Sequence, residues 1–300
     1  MTKDRKIITR RDFMVAGSFA VGGVMARPAL GQDAPAAQAD KSRVVLVRDK
    51  NVLDENGQVR KEVIARMLDD AIKALFDTGD ALAPWRTLFK PADIVGIKTN
   101  VWTPLPTPKA LEETIRERLV AAGVAANNIG IRDRGLLQDP IFTKATALVN
   151  VRPMRTHHWS GLGTLIKNHI MFTDQPWAYH GNACERLGAV WELPLVKGKT
   201  RLNILVMLTP LFHGVGPHHF SAAYTWPYYG LIVSKDPVAA DATGARIIEA
   251  KRRQHFGEDR PISPPPRHIA AADTRFGLGQ SNPERIDLVT LGFREDLLLG

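Results

Sequence analysis

Three hundred residues suit one large domain or two lobes, since single cores stop growing at roughly 250–300 residues, and a hydrophobic share of 44% supports a sizeable core and excludes a disordered chain. The formal charge of +9 first suggests a nucleic-acid partner, but residues 1–39 carry six basic and three acidic side chains, which leaves +6 on the remainder. Those remaining basic residues are dispersed and do not interleave with aromatics as a nucleic-acid groove requires, so no nucleic acid is expected.

The N-terminal segment reads as an address. Lys3, Arg5 and Lys6 precede Thr9-Arg10-Arg11-Asp12-Phe13, followed by a Gly-rich apolar run from Met14 to Ala26 that is too short to span a bilayer. An arginine pair followed by Phe is the bacterial twin-arginine pattern, and Ala29-Leu30-Gly31 or Ala37-Gln38-Ala39 offers a small-x-small cleavage site. Residues 1–39 are therefore expected to be a signal peptide and linker, with 40–300 a single domain. The expected partner is the twin-arginine export machinery, and the expected location is the periplasm, with no stable membrane span after cleavage. That route moves folded chains, so any cofactor is loaded before export. A lone Cys184 makes no intrachain disulfide, and no iron–sulfur cluster is expected because one usually needs four thiolates.

In chain order, Arg43–Arg48 reads as a buried strand, and Val63, Met67, Ala71, Ile72 and Leu75 fall at helical spacing within Val59–Phe76. Asp93–Lys98 is a short apolar strand, a helix is expected over about residues 108–122 up to Gly123, and Asn128–Asp133 is the next strand. Another apolar strand starts at Ala147. Arg201–Leu208 is a strand ending in a Thr209-Pro210 turn, and Leu231–Ser234 is a further one. Asp236-Pro237 supplies the cap and first residue of a helix to about Gln254. Pro261–Pro266 is an extended loop and Ile286–Leu291 a closing strand. Alternating strands and helices predict an α/β fold, a mainly parallel sheet covered by helices in Rossmann-like layers, in one or two lobes. Ligands of such sheets sit outside the carboxyl ends of the strands. Lys98, Asn100, Asp133 and the run from Asn150 to His157 would gather there.

Seven of the nine histidines fall between residues 157 and 219, and histidine is both the commonest metal ligand and the side chain that titrates nearest neutrality. His157, His180 and His213, with Asp133 as a carboxylate, supply donors suited to a divalent transition metal. There is no H-E-x-x-H and no paired C-x-x-C, so the ligands would have to converge from separate loops. The alternative is that they are hydrogen-bonded pocket or surface residues. His169, His255 and His268 read as structural. Gly161-Leu162-Gly163 ahead of Lys167-Asn168 resembles an anion cradle at a helix start, but its spacing is not that of a P-loop, so ATP is not expected. Lys98 and Lys167 are the candidate catalytic cations, and Asn100, Asn150, Asn168 and His218 the candidate substrate-binding residues. His213-Gly214-Val215-Gly216-Pro217-His218-His219 is a bent loop after a strand. Asp236 is a helix cap, and Asp241 either bonds backbone groups or meets Lys98. Trp102, Trp159, Trp177 and Trp226 are pocket walls or core plugs.

Ile97-Lys98-Thr99-Asn100, Leu148-Val149-Asn150-Val151, Thr156-His157, Ile166-Lys167-Asn168, His180, Gly214-Val215-Gly216-Pro217, Asp236-Pro237-Val238-Ala239-Ala240-Asp241 and Gly277-Leu278-Gly279 resemble, in this order, the motifs of the DUF362 family, a domain family without an established general activity. The resemblance runs from about residue 43 to 292 and implies a fold and a set of site positions. The chain departs from the family pattern at Thr99, where Pro is usual, and at Met154-Arg155, where Leu-Lys is usual. A fork-shaped guanidinium there replaces a compact ammonium. The expected function is that of an exported metal-dependent enzyme, a hydrolase or oxidoreductase, acting on a small polar or anionic substrate. The alternative is a non-catalytic periplasmic ligand-binding or metallo-accessory protein.

Overall fold

The computed structural model describes residues 41–214 and 220–299. Their strands β1 (Ser42–Arg48), β2 (Val95–Lys98), β3 (Ile129–Arg132), β4 (Ala147–His157), β5 (Gly161–Gly163), β6 (Thr200–Leu211), β7 (Gly230–Ser234) and β8 (Ile286–Gly292) form one sheet. Its order is β3-β2-β4-β6-β7-β1-β8, with β5 attached to β4. The pairs β3/β2, β2/β4, β4/β6 and β1/β8 are parallel, whereas β7 runs against both β6 and β1. The sheet is thus α/β and mostly parallel, as the alternation of elements implies. The reversal at β7 is a difference: antiparallel neighbours need no crossover helix, and no α-helix lies in the described part of the link from β6 to β7.

Both faces are covered. Helices α1 (Lys61–Phe76), α2 (Leu82–Leu88) and α3 (Lys109–Ala121) pack on one; α4 (Pro140–Lys144), α5 (Leu165–Asn168), α6 (Gly181–Cys184), α7 (Pro237–Phe256) and α8 (Arg267–Thr274) lie on the other. Val45 and Val47 face the α1 side while Val44 and Leu46 face the α7 side, which is why β1 reads as an unbroken apolar run. On α1, Val63, Ile64, Met67, Leu68, Ala71, Ile72 and Leu75 are buried at helical spacing, and Asp77 closes the helix in the left-handed region. Asp236 caps α7 by accepting from the Val238 and Ala239 N–H groups at 2.8 and 3.0 Å, and α7 stops at Gly257.

Thr209-Pro210 is not a turn. β6 continues to Leu211, and the pairing slips between Pro153↔Val206 and Arg155↔Leu211. Pro210 has no N–H to give a ladder, so an irregularity is where a strand tolerates it. One row of the sheet is polar on the α7 side: register places Lys98 beside Asn150, Asn150 beside Asn203, and Asn203 beside Ser234. Beyond that row β4 runs on past the ends of β2 and β3, and these extra residues form the floor of a cavity. No helix among the described residues is long and apolar enough to cross a membrane.

Candidate functional site

A cavity of about 380 Å³ lies at the carboxyl ends of β2, β3 and β4. β4 contributes Arg152, Arg155 and His157, all buried although they belong to a strand that starts as pure core. The strand period explains part of this: Arg152 follows Asn150 by two and faces the same side. Asn100, Trp102 and Asp133 come from the loops after β2 and β3, Lys167 and Asn168 from α5, and His180 from the turn before α6.

Arg152 donates from Nη1 to the Thr164 carbonyl at 3.3 Å, while its Nε has no partner among the described residues. Arg155 Nε and Nη1 are also buried without partners, and its guanidinium carbon stands 4.2 Å from the Trp102 ring centre. Burial is the first cause lowering the pKa of both arginines, and Arg152 adds to the effect on Arg155; both guanidinium groups stay charged. Lys167 is buried, with Cys184 Sγ at 3.7 Å. Its pKa falls to about 8, through burial first and with the Arg152 charge adding to it. The Asn100 side-chain oxygen is buried and unpartnered too. Among the described residues the cavity therefore holds three buried cations, and Asp133, the one carboxylate of these lining it, is engaged elsewhere.

That engagement is with Lys98, which is fully buried and donates to Asp133 Oδ1 at 2.7 Å, to the Thr99 carbonyl at 2.7 Å and to Asn168 Oδ1 at 3.3 Å. Asp133 Oδ2 accepts from the Val101 N–H at 3.2 Å. Burial alone would raise the Asp133 pKa; the Lys98 charge and hydrogen bond overcome it and hold it below the usual range. The asparagines continue the chain inward. Asn168 Nδ2 donates to the Lys98 carbonyl and to Asn150 Oδ1; Asn150 Nδ2 donates to the Leu165 carbonyl and to Asn203 Oδ1. Lys98 and Asn150 thus have their hydrogen bonds from the protein and do not line the cavity. Asn100 and Asn168 do line the cavity.

The expected anion cradle at Gly161–Asn168 is already filled by the protein. Asp241 accepts from the Leu165 and Ile166 N–H groups at 2.9 Å each, and burial raises its pKa to about 7 against those hydrogen bonds. Of the two duties considered for Asp241, bonding backbone is the one seen. A Cβ on Gly163 would sit 2.6 Å from Arg152 Nη2, and one on Gly161 would overlap the Pro264 carbonyl. These glycines make room for protein neighbours, and the cations around the cavity, rather than the helix start, are what an anion meets.

Of the four expected metal ligands, His157, His180 and Asp133 line this cavity and His213 does not. His157 lines the cavity and its Nδ1 accepts from the Trp159 N–H at 3.2 Å, which leaves Nε2 to carry the ring proton. Burial, then the Lys167 and Arg155 charges, hold it neutral far below its ordinary pKa. His180 shares the cavity, 4.1 Å from the Trp159 ring, with a pKa lowered to about 4 by burial and Lys167. His213 belongs to another cluster: Arg252 Nη1 donates to its Nδ1 at 3.1 Å, and its ring meets Tyr224 and Phe256 edge-on. Asp133 is occupied by Lys98. Among the described residues, no group of three or more His, Cys, Asp or Glu side chains is placed to hold a metal ion. The donors surrounding the cavity are cations and neutral imidazoles, a set that fits an anion better than a divalent cation.

His218 and most of the Gly214–His219 loop lie outside the described residues, as do residues 1–39. His169 stacks on Trp191 at 4.2 Å and reaches Thr200 Oγ1, and His268 lies 2.9 Å from Thr164 Oγ1, both in structural positions. Comparison with known proteins adds no relative: no family model, no curated protein and no solved structure matches the chain.

Proposed function

We propose that this chain is an exported protein of DUF362 type whose cavity binds a small anion between Arg152 and Arg155 and whose Lys167 exchanges a proton with it, as an enzyme would require. One observation carries the reading: among the described residues, two buried guanidinium groups keep unpartnered donors in a cavity whose single carboxylate is taken by Lys98. A buried unpaired charge is strongly unfavourable, and a charge-assisted hydrogen bond stabilises by about 1.5–3 kcal/mol. A carboxylate, sulfate or phosphate group in the cavity supplies the missing partner and offsets the mutual repulsion of the cations. Lys167 lacks a carboxylate partner and has a pKa of about 8, so its charged and neutral forms are both accessible near neutrality, as a proton-transfer group needs. His157, held neutral, serves as a hydrogen-bond donor from Nε2. No step is routed through a metal, because His213 lies apart from the cavity that His157, His180 and Asp133 line, and Asp133 is engaged by Lys98.

The family resemblance is supported by where its motifs fall. Lys98, Asn150 and Asn168 meet in one buried polar network, and Asp241 and Asn150 both bond the Leu165 backbone, although the four are spread over more than a hundred residues of sequence. The export reading rests on Arg10-Arg11 and the segment around it. Replacing both by Lys should strand the protein in the cytoplasmic fraction.

Isothermal titration with phosphate, sulfate and succinate tests the site. Binding is expected for at least one of them, and Arg155→Gln should weaken it about tenfold or more. Equal affinity in the variant would remove the proposal. Among anionic compounds that bind, turnover lost in Lys167→Met marks an enzyme, whereas binding with no turnover of any compound marks the non-catalytic ligand-binding alternative.

A further inference from the structure

Five large hydrophobic side chains are exposed among the described residues; one of them lines the cavity and three more adjoin residues that line it. Trp159 lines it at 47% exposure, with the His180 ring tilted against it at 4.1 Å between centres. Trp177, 67% exposed, lies in the turn between Pro176 and His180, which both line the cavity. Val101 is 50% exposed between the lining residues Asn100 and Trp102, and Phe220 packs edge-on against Trp102 at 5.7 Å. The fifth, Val120, is on α3 on the other face of the sheet.

Single exposed apolar residues are ordinary, but a cluster around the entrance of a pocket marks a binding surface. The two chemistries here are layered. Unpartnered guanidinium donors lie deep, and at the rim stand Trp159, half-exposed with the His158 and His180 rings each 4.1 Å from it, and the more exposed Trp177. A compact inorganic anion would satisfy the first layer and leave the second wet. We propose that the ligand is amphiphilic, an anionic head joined to an aromatic or alkyl body, with the head between Arg152 and Arg155 and the body laid across Trp159 and Trp177. This rests on the anion-pocket reading above and adds the substrate class to it. The body would also shut water away from the head, which strengthens every charge–charge contact inside.

The test uses two anions with the same head and no hydrolysable bond, phenylphosphonate and methylphosphonate, titrated into the full chain. Phenylphosphonate should bind about tenfold tighter, the range expected when one aromatic ring is stacked and removed from water. Trp159→Ala and Trp177→Ala should each reduce that ratio about threefold, while Val120→Ala keeps it. Equal binding of the two phosphonates overturns this inference and leaves the anion pocket standing; no binding of either overturns both. A preference that survives in both tryptophan variants also overturns it, because the body then lies elsewhere. An anionic bilayer would meet the same cations and aromatics, so vesicles of phosphatidylcholine with phosphatidylglycerol form the last arm. Trp-dependent vesicle binding without a phenyl preference would assign the rim to a membrane surface instead.

Discussion

Lys98 Nζ lies 2.7 Å from Asp133 Oδ1 with the lysine fully buried, so the two groups with the most obvious chemistry at this sheet edge neutralise each other. Lys98→Met should destabilise the fold by about 3–5 kcal/mol, because it leaves a buried carboxylate without its ion partner. Adding Asp133→Asn should recover part of that loss, since the second change removes the stranded charge. Urea unfolding of the two variants measures the difference; a Lys98→Met protein as stable as the parent would show that the pair is not a structural unit.

Lys167 gives the anion site its pH dependence. Its folded pKa of about 8 lies below the ordinary 10.5, so between those values the folded chain binds fewer protons than the unfolded one. Stability of the ligand-free protein from this group therefore rises with pH across that window, in the same direction as for Lys98, which is also lowered to about 8 by burial. A bound anion favours the charged lysine and reverses part of the shift. Anion affinity should be flat below about pH 8 and fall above it, by up to about tenfold per pH unit, with proton uptake on binding. Titrations in buffers of different ionisation heat count those protons. In Lys167→Met both the uptake and the slope should vanish.

The scaffold was legible because it depends on local pattern. The apolar run of β1, the spacing on α1 and the Asp236-Pro237 start of α7 each follow from rules that act within a few residues. The rim position of Asp133 and of the residues after Asn150 follows from strand direction alone. The pairing of Asp133 with Lys98 and the isolation of His213 do not, because they depend on which side chains from distant loops arrive first within hydrogen-bond reach. Histidine crowding in the chain became two separate clusters in space. Arg152 had a usable signal in its two-residue spacing from Asn150. The unpartnered donors of Arg155 had none, since a missing hydrogen bond is a property of the surroundings.

Asn150 separates a structural role from a binding one. It is fully buried, donates to the Leu165 carbonyl and Asn203 Oδ1, and accepts from Asn168 Nδ2. Asn150→Leu leaves two buried acceptors without that donor, at about 1–3 kcal/mol each. The variant should lose roughly 2–5 kcal/mol of unfolding free energy. Phosphate affinity measured well below the lowered melting temperature should change little. A large loss of affinity at unchanged stability would return Asn150 to the ligand-binding role expected from its motif.

Gly163 is the position where a single methyl group tests the arginine site. Its Cβ would stand 2.6 Å from Arg152 Nη2, and the next contacts, Arg152 Cζ at 3.2 Å and Arg155 Cγ at 3.4 Å, belong to the same two side chains. The guanidinium is the far end of a flexible chain, so the fold can yield there for about 1–3 kcal/mol. The yielding, however, carries Arg152 away from its place beside Arg155. Gly163→Ala should therefore weaken phosphate binding about ten- to hundredfold while the protein still unfolds cooperatively. Gly79→Ala, where an added Cβ meets nothing within 4 Å, should change neither quantity. If Gly163→Ala bound phosphate as the parent does, Arg152 would not be part of the anion site.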